Sequence, residues 1–390
     1  MPPVLRVATD LADVAAEDWN RCANPVGRAY DPFVSHDFLC ALETSGSAGV
    51  ETGWAAHHLL LYDEEDALNA AMPLYLKNHS RGEYVFDHGW ADAFHRAGGA
   101  YYPKLLCAIP FTPATGRRLL VADAETQTAC EQQLVAGALT LLEKYEASSL
   151  HLNFLPEDEW TRLGGYGFLQ RTDQQFHWEN DHYDGFDDFL GALASRKRKN
   201  LKKERAAALA SGIEVEWLTG NDITEAHWDE FFRFYMDTGA RKWGTPYLTR
   251  GFFSAIGGAM PERVLLVMAK RDGRYIAGAL NFIGGDTLFG RNWGCLEDHP
   301  FLHFELCYYQ AIDFAIAHKL KRVEAGAQGP HKLARGYVPV RTHSAHYIAD
   351  PHLRDAVARY LESEREYVDN DIGVLERHTP FKKSGDEPCN

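Results

Sequence analysis

Hydrophobic and polar positions alternate with two periods along this chain, and the switches between them outline its elements. Period 2 predicts strands over 4–9 (VLRVAT), His58–Tyr62, Ala67–Lys77, Tyr84–His88, Ser149–Phe154 and Phe168–Trp178. Helical spacing predicts an acidic helix over 12–22, a helix over Phe38–Thr44 behind the N-cap candidate Ser35, a long helix over 127–146 and a short one over 157–163. Glycine-rich and aromatic loops cover 89–116. Beyond residue 212, strands are predicted over Ile213–Leu218, Val264–Lys270, Tyr275–Ile283, Leu288–Trp293 and Arg322–Ala325, with Asp272-Gly273 as a two-residue hairpin turn. Helices over Glu225–Thr238, Phe252–Gly257 and Phe304–His318 alternate with them.

The two halves follow one plan. LLLYDEEDALNAAMPLYLKN (59–78) aligns with LLVMAKRDGRYIAGALNFIG (265–284) at an offset of roughly 205 residues, and YVFDHGW (84–90) falls where LFGRNWG (288–294) falls in the other half. The expected architecture is therefore α/β (α+β): two tandem copies of one unit, each a mixed sheet flanked by helices. The boundaries are placed at 1–185 and 186–378, with 379–390 as a disordered tail.

Composition narrows the class. With 45% hydrophobic, 12% aromatic and 24% charged residues, the 390-residue chain is an ordered globular protein with room for two cores. The first twenty residues carry neither an apolar run nor a positive leader, and no window reaches the ~18 apolar residues of a membrane span. Seven widely spaced cysteines without a CxxC pattern suit reduced thiols, so a cytoplasmic monomer is expected. The net charge of −15 argues against general coating of nucleic acid but leaves room for one local basic patch.

That patch is SRKRKNLKKERAAALASG, Ser195–Gly212. Seven of the ten residues from Arg196 to Arg205 are Lys or Arg, and the run continues into helix-forming Ala and Leu. On a helix, Leu201 and Ala208 share a narrow face with Arg198 and Arg205, so most of the charge points outward. Ser195 is a candidate N-cap and Gly212 a candidate C′ residue. Cations in the first turn oppose the helix dipole, which a bound anion would relieve. A solvated charged face is the plain reading; a phosphate-binding helix using Arg196, Lys197, Arg198, Lys199, Lys202 and Lys203 is the sharper one.

Strand, hairpin, strand, helix, strand is the core order of N-acetyltransferases of the GNAT type. A duplicated copy with a basic helix opening the second half resembles the Fem family, which transfers an amino acid from aminoacyl-tRNA to an amine. The chain is similar to the Fem-like N-acyltransferases through PFVSHDFLCALETSGS (32–47), AMPLYLKNHSRGEYVFDHGWADAF (71–94), YYPKLLCAIPFTPATG (101–116), HFELCYYQAIDF (303–314) and GAQGPHKLARGYVPVRTHSAH (326–346). The resemblance implies aminoacyl-tRNA as donor substrate, no cofactor, and a small amine-bearing metabolite or cell-wall-type precursor as acceptor. Two positions depart from the family pattern: Pro330 replaces a Glu, and Asn292 replaces a Tyr.

The residues can be read for chemistry independently. An acetyl-CoA enzyme of this fold needs a glycine-rich turn before the helix that follows its fourth strand, to cradle pyrophosphate. The matching stretch, RNWGCLEDHPFLHFEL (291–306), carries the acidic pair Glu297-Asp298 instead. Aminolysis of an ester needs an aligned neutral amine and donors for the oxyanion. Gln328, His331, Lys332 and Arg335 supply an amide, an imidazole and two cations within eight residues. Lys332 and Arg335 are candidates for charge stabilisation and His331 for accepting a proton; the alternative is exposed cations and a loop histidine. Asp87, His88, Tyr102 and Lys104 are candidates for holding the acceptor, or else a structural polar cluster. Arg291 and Asn292 lie where an acceptor pocket is expected. His299, His303 and Glu305 have metal-ligand types, but Pro300 interrupts their helix spacing and no HExxH occurs. The remaining readings are a CoA-dependent N-acyltransferase and a non-catalytic RNA-binding module.

Overall fold

The computed structural model describes residues 3–210, 212–242, 246–326 and 329–382. The chain forms two compact units: one holds residues up to 173 with 247–256 and 341–369, the other 174–246, 257–340 and the chain from 370 onward. No helix among the described residues is long and apolar enough to cross a membrane.

In the first unit, Val4–Ala8, His58–Tyr62, Leu68–Met72 and Leu120–Val121 form an antiparallel sheet in that order. Trp54–Ala56, Tyr75–Lys77 and Lys104–Cys107 pair antiparallel, and Lys104–Cys107 then pairs parallel to Ser149–Leu155. A parallel pair needs a crossover, and the helix Gln127–Lys144 supplies it. Its buried Leu134, Ala138, Leu141 and Leu142 pack on the strands at helical spacing. Ser35 accepts from the Phe38 amide and caps the helix His36–Thr44, as its position predicts.

Two expected strands of this unit are different in the structure. Ala67–Lys77 is broken into Leu68–Met72 and Tyr75–Lys77, which belong to different ladders. Pro73, between them, has no N–H to donate, so the ladder cannot run through it. Tyr84–His88 is not a strand: Tyr84 has a left-handed φ of 59° and His88–Arg96 is a helix whose Trp90 and Ala91 amides bond to Asp87 O. The next strand after Tyr75–Lys77 is Lys104–Cys107, so the alignment of 84–90 with 288–294 does not hold.

The second unit matches its predicted order closely. Ile213–Thr219, Val264–Arg271, Arg274–Ile283 and Thr287–Cys295 are consecutive antiparallel neighbours. Asp272 (φ 52°) and Gly273 (φ 72°) make the hairpin turn, both left-handed as a type I′ turn requires. Thr287–Cys295 runs parallel to Arg322–Glu324, with the helix ending at Ala317 as the crossover. The strand–hairpin–strand–helix–strand order thus occurs in both units. The basic helix spans Ser195–Leu209, with Leu201 and Ala208 buried. Ser195 does not cap it: Ala194 holds the N-cap position, no side chain closes the first turn, and Ser195 is the first helical residue. Gly212 is left-handed (φ 70°), as expected past the helix end. Within the stretch expected to be a tail, Phe381 bridges Leu193 and Lys382 donates its amide to Ala192 O; residues 383–390 lie outside the described ones.

Backbone contact fixes how helix Glu225–Lys242 sits on the strand Thr287–Cys295. A Cβ on Gly294 would lie 2.2 Å from the carbonyl carbon and oxygen of Phe234. Gly294→Ala should therefore lower stability by about 1–3 kcal/mol or more, since rigid backbone cannot yield as a side-chain tip can. Gly258→Ala, a helical position with nothing within 4 Å of the new methyl, should instead raise it by roughly 0.5–1 kcal/mol. Thermal melting of both variants checks the pair; equal effects would show that the close approach does not matter.

Candidate functional site

In the second unit the parallel strands pair only from Thr287–Arg322 to Phe289–Glu324 and then separate. Ligands in α/β sheets collect beyond the carboxyl ends of such strands. Here the gap is sharpened by a bulge: Leu280 faces Asn292 but Asn281 faces Gly290, leaving Arg291 as the extra residue. A bulge re-aims the side chains around it. Arg291, Asn292 and Trp293 line a cavity of about 90 Å³ at this point, together with Asn281, His303 and Cys307.

Across the cavity, the helix that follows contains a π-helical segment, Glu305–Tyr309, inside the span expected to be an ordinary helix. Such segments recur at functional sites because they turn adjacent side chains towards one place. Tyr308 lines the cavity and its hydroxyl lies 2.9 Å from His331 Nε2. Burial pushes the Tyr308 phenol above its ordinary range against the pull of Arg335, so it stays protonated while it shares this hydrogen bond. Burial, aided by Arg335 and Lys332, holds His331 below the usual histidine value, leaving it neutral at pH 7.

Lys332 is buried, donates to Gly326 O at 2.9 Å, and is brought down to about 8 by burial. Arg335 lies 3.4 Å over the Phe304 ring and donates to His331 O and Glu204 Oε2, each at 2.8 Å. Arg335 therefore acts on the site by holding the His331 loop. Gln328 lies outside the described residues.

Glu204 belongs to the basic helix and also accepts from the Tyr309 hydroxyl. Next to it, Arg205 turns inward: its Nη2 donates to Glu305 at 2.8 Å and to Asp313 at 2.7 Å, over the Phe186 ring. Glu305 is fully buried, and burial of Arg205, which alone would lower its pKa, is outweighed by Glu305 and Asp313. The outward face is different. Arg196, Lys199, Lys202 and Lys203 are exposed and Lys197 and Arg198 half-buried. Lys202 pairs with Asp187 at 2.9 Å, both well exposed; the other five have no carboxylate partner among the described residues. The helix is thus fastened to the cavity wall by its inner face and presents unneutralised cations on its outer one.

His299, His303 and Glu305 do not converge. His299 is held by Glu297 at 2.9 Å, His303 packs on Trp293 and Phe304, and Glu305 is bound by Arg205.

The first unit contains a separate buried polar cluster. Lys104 Nζ donates to Asp87 (2.5 Å), Glu83 (2.7 Å) and Ser80 (2.8 Å), and Tyr101 donates to the same Asp87 oxygen at 2.7 Å. Tyr102 reaches Ser80 at 2.8 Å. His88, one residue from Asp87, is exposed and does not join them. Behind Tyr101, His151 and His346 share a 2.7 Å Nδ1–Nδ1 hydrogen bond, and Ser149 and Ser344 close their other ring nitrogens. Burial, then Lys104, brings His151 down to about 3, so this pair is neutral. Burial would raise Asp87, but Lys104 outweighs it and holds the carboxyl well below its usual value. Burial pushes Glu83 up to about 7 even against Lys104, and brings Lys77, 3.5 Å over Trp54, down to about 7.

Sequence reasoning reaches Asp87, Tyr102 and Lys104 but not Glu83, Tyr101, His151 or His346. Ser149-x-His151-x-Asn153 and Ser344-x-His346 put polar residues on one face of otherwise apolar strands, and that period-2 pattern is their signal. Glu204, Trp293, Cys307 and Tyr308 are likewise reached only through the structure.

This architecture occurs in known structures. FemX superposes with a TM-score of 0.55 at 14% identity, over 92% of this chain and 100% of that one. The C-terminal domain of a candidate lysylphosphatidylglycerol synthetase from Agrobacterium fabrum gives 0.55 at 11%, over 89% and 96%. L-PGS from Bacillus licheniformis gives 0.50 at 9%, over 87% and 99%. No curated protein sequence matches the chain. These likenesses establish the fold, two α/β units built on one plan. The FemAB-like family profile, described as peptidoglycan biosynthesis/recognition, matches residues 10–383, and the chain belongs to that family.

The Lys104 cluster generates a stability prediction. Lys104→Met removes the cation that two buried carboxylates share and should cost about 3–5 kcal/mol. Glu83, raised in the folded state, contributes stability that is present below its unfolded value near 4.5 and lost as pH rises towards about 7. Asp87, depressed, contributes stability at neutral pH that is lost as pH falls below about 4. Glu83→Gln should therefore flatten the decline between about pH 4.5 and 7 while the acid-side loss remains. Melting temperatures across pH 3–8 read both; an unchanged profile in Glu83→Gln would contradict the assignment.

Proposed function

We propose that this protein is an aminoacyltransferase that moves an amino acid from aminoacyl-tRNA to the amine of a small metabolite or a cell-wall-type precursor. The observation that carries this reading is the basic helix: five outward cations without a carboxylate partner among the described residues, and an inward face tied by Glu204 and Arg205 to the wall of the cavity. Phosphates of a nucleic-acid donor would replace the missing counter-charges and satisfy the uncapped first turn. The donor's ester end would then enter the gap between the separating strands.

The residues there suit aminolysis. The amine nitrogen attacks the ester carbonyl, the bond to the ribose oxygen breaks, and the proton lost by the amine ends on that oxygen. His331, neutral at pH 7 and joined to the protonated Tyr308, can carry the proton between them. Arg291, on the bulge, and Asn292 line the same cavity and would donate to the developing oxyanion.

CoA fits less well. The turn preceding the helix that starts at Leu302 holds Glu297 and Asp298, and Phe301 occupies its N-cap position, so a pyrophosphate there would meet a carboxylate instead of a capped anion nest. No step is assigned to CoA.

The test incubates the full chain with candidate amines and either charged total tRNA or acyl-CoAs, and reads products by mass spectrometry. Amide product with charged tRNA alone is expected. Product with acyl-CoA alone would replace this reading with a CoA-dependent one, and no product with retained tRNA binding would leave a binding module.

Arg196, Lys199 and Lys203 follow one helical face and are exposed. Replacing all three by Gln should weaken tRNA binding and flatten the slope of log K against log salt by roughly two units, at about 0.7 per phosphate contact to single strands. An unchanged slope with unchanged turnover would show that the helix is only a solvated face.

A further inference from the structure

Next to the small cavity, and sharing Trp293 and His303 with it, is a larger one of about 360 Å³. A cavity of this size is in the range that takes a small ligand or a large side chain. Three of its walls are aromatic: Trp293, Phe304 and Phe301. Phe301 is held at a left-handed φ of 65° and remains 38% exposed, so a bulky ring is kept at the pocket in a conformation that such residues avoid.

The charges around the pocket do not cancel. Arg241 pairs with Asp237 at 2.5 Å and spends Nη2 on Cys295 O at 2.7 Å, where Thr238 also receives the Cys295 amide. His299 and Arg271 both bind Glu297, at 2.9 and 3.1 Å. Asp298 is exposed and has no partner among the described residues. Among the described residues, each cation at this pocket is thus already paired, and Asp298 is the carboxylate left without a partner beside aromatic faces. Aromatic walls favour both an alkyl stem and a cation, and a free carboxylate at the mouth selects the cation.

We infer that this pocket receives the side chain of the transferred amino acid, and that it selects a long side chain ending in a cation, of the lysine type. The inference rests on the aminoacyl-donor reading, with the ester carbonyl in the small cavity and the side chain passing Trp293 and His303 into the larger one.

The test needs no tRNA. The full chain is titrated calorimetrically with the methyl esters of lysine, norleucine and glutamate, and with 1-aminopentane. Lysine methyl ester should bind at least tenfold more tightly than the norleucine ester, with the glutamate ester weakest. Asp298→Asn, an exposed and structurally mild change, should remove most of the lysine preference and leave norleucine affinity unchanged. Equal or tighter binding of norleucine, a preference for glutamate, a lysine preference indifferent to Asp298→Asn, or no binding of any ester would each overturn the assignment. Aminopentane, which presents the same stem and ammonium, should compete with the lysine ester for the pocket; failure to compete would overturn the assignment too. Expected ester binding without product from charged tRNA would retain the pocket and remove the tRNA donor, so the two failures are distinguishable.

Discussion

Glu305 is a carboxylate with no exposure to solvent, and Arg205 of the basic helix is its ion-pair partner. A charge buried this way is tolerated only while its partner stays, so the helix cannot leave without stranding Glu305 at a cost of about 3–5 kcal/mol. Glu204 repeats the constraint one residue earlier, binding Arg335 and through it the His331 backbone. One turn of a helix that is otherwise covered in outward charge therefore fixes both the π segment Glu305–Tyr309 and the loop Pro330–Arg335. The ties to the His331 loop and the proposed phosphate-binding surface are two faces of one helix, and this gives a basic helix in an acidic protein a reason to be structured.

Much of this was legible before the fold was known. The left-handed Asp272-Gly273 turn, the Ser35 cap and the buried face of the basic helix follow from local chemistry, and the structure places all three as expected. What was not legible depended on contacts between distant residues. Tyr84–His88 has the alternation of a strand, but Glu83 and Asp87 are both drawn to Lys104, and the backbone turns into a helix to deliver them. Arg291 reads as one more strand residue until the register on Arg274–Ile283 shows the bulge. The break at Pro73 had a local signal, the missing amide, which the apolar run around it concealed.

The two departures from the family pattern fall in the part of the site least determined by sequence. Asn292 lines the small cavity beside Trp293, with a smaller side chain than the family's Tyr. Pro330 opens the turn that carries His331 and Lys332. Neither residue takes part in the Glu204–Arg335 or Arg205–Glu305 ties. The anchoring of the site is thus separable from the shape of what it accepts.

The central claim is that donor binding on the basic helix is felt at the reactive loop through those ties. Hydrogen–deuterium exchange of the full chain, with and without charged tRNA, measures this directly. The expected result is slowed exchange across Ser195–Leu209 and, at the same tRNA concentration, across Pro330–Arg335 and Glu305–Tyr309. Protection of the helix with no change in the other two segments, or no protection of the helix at all, would contradict it.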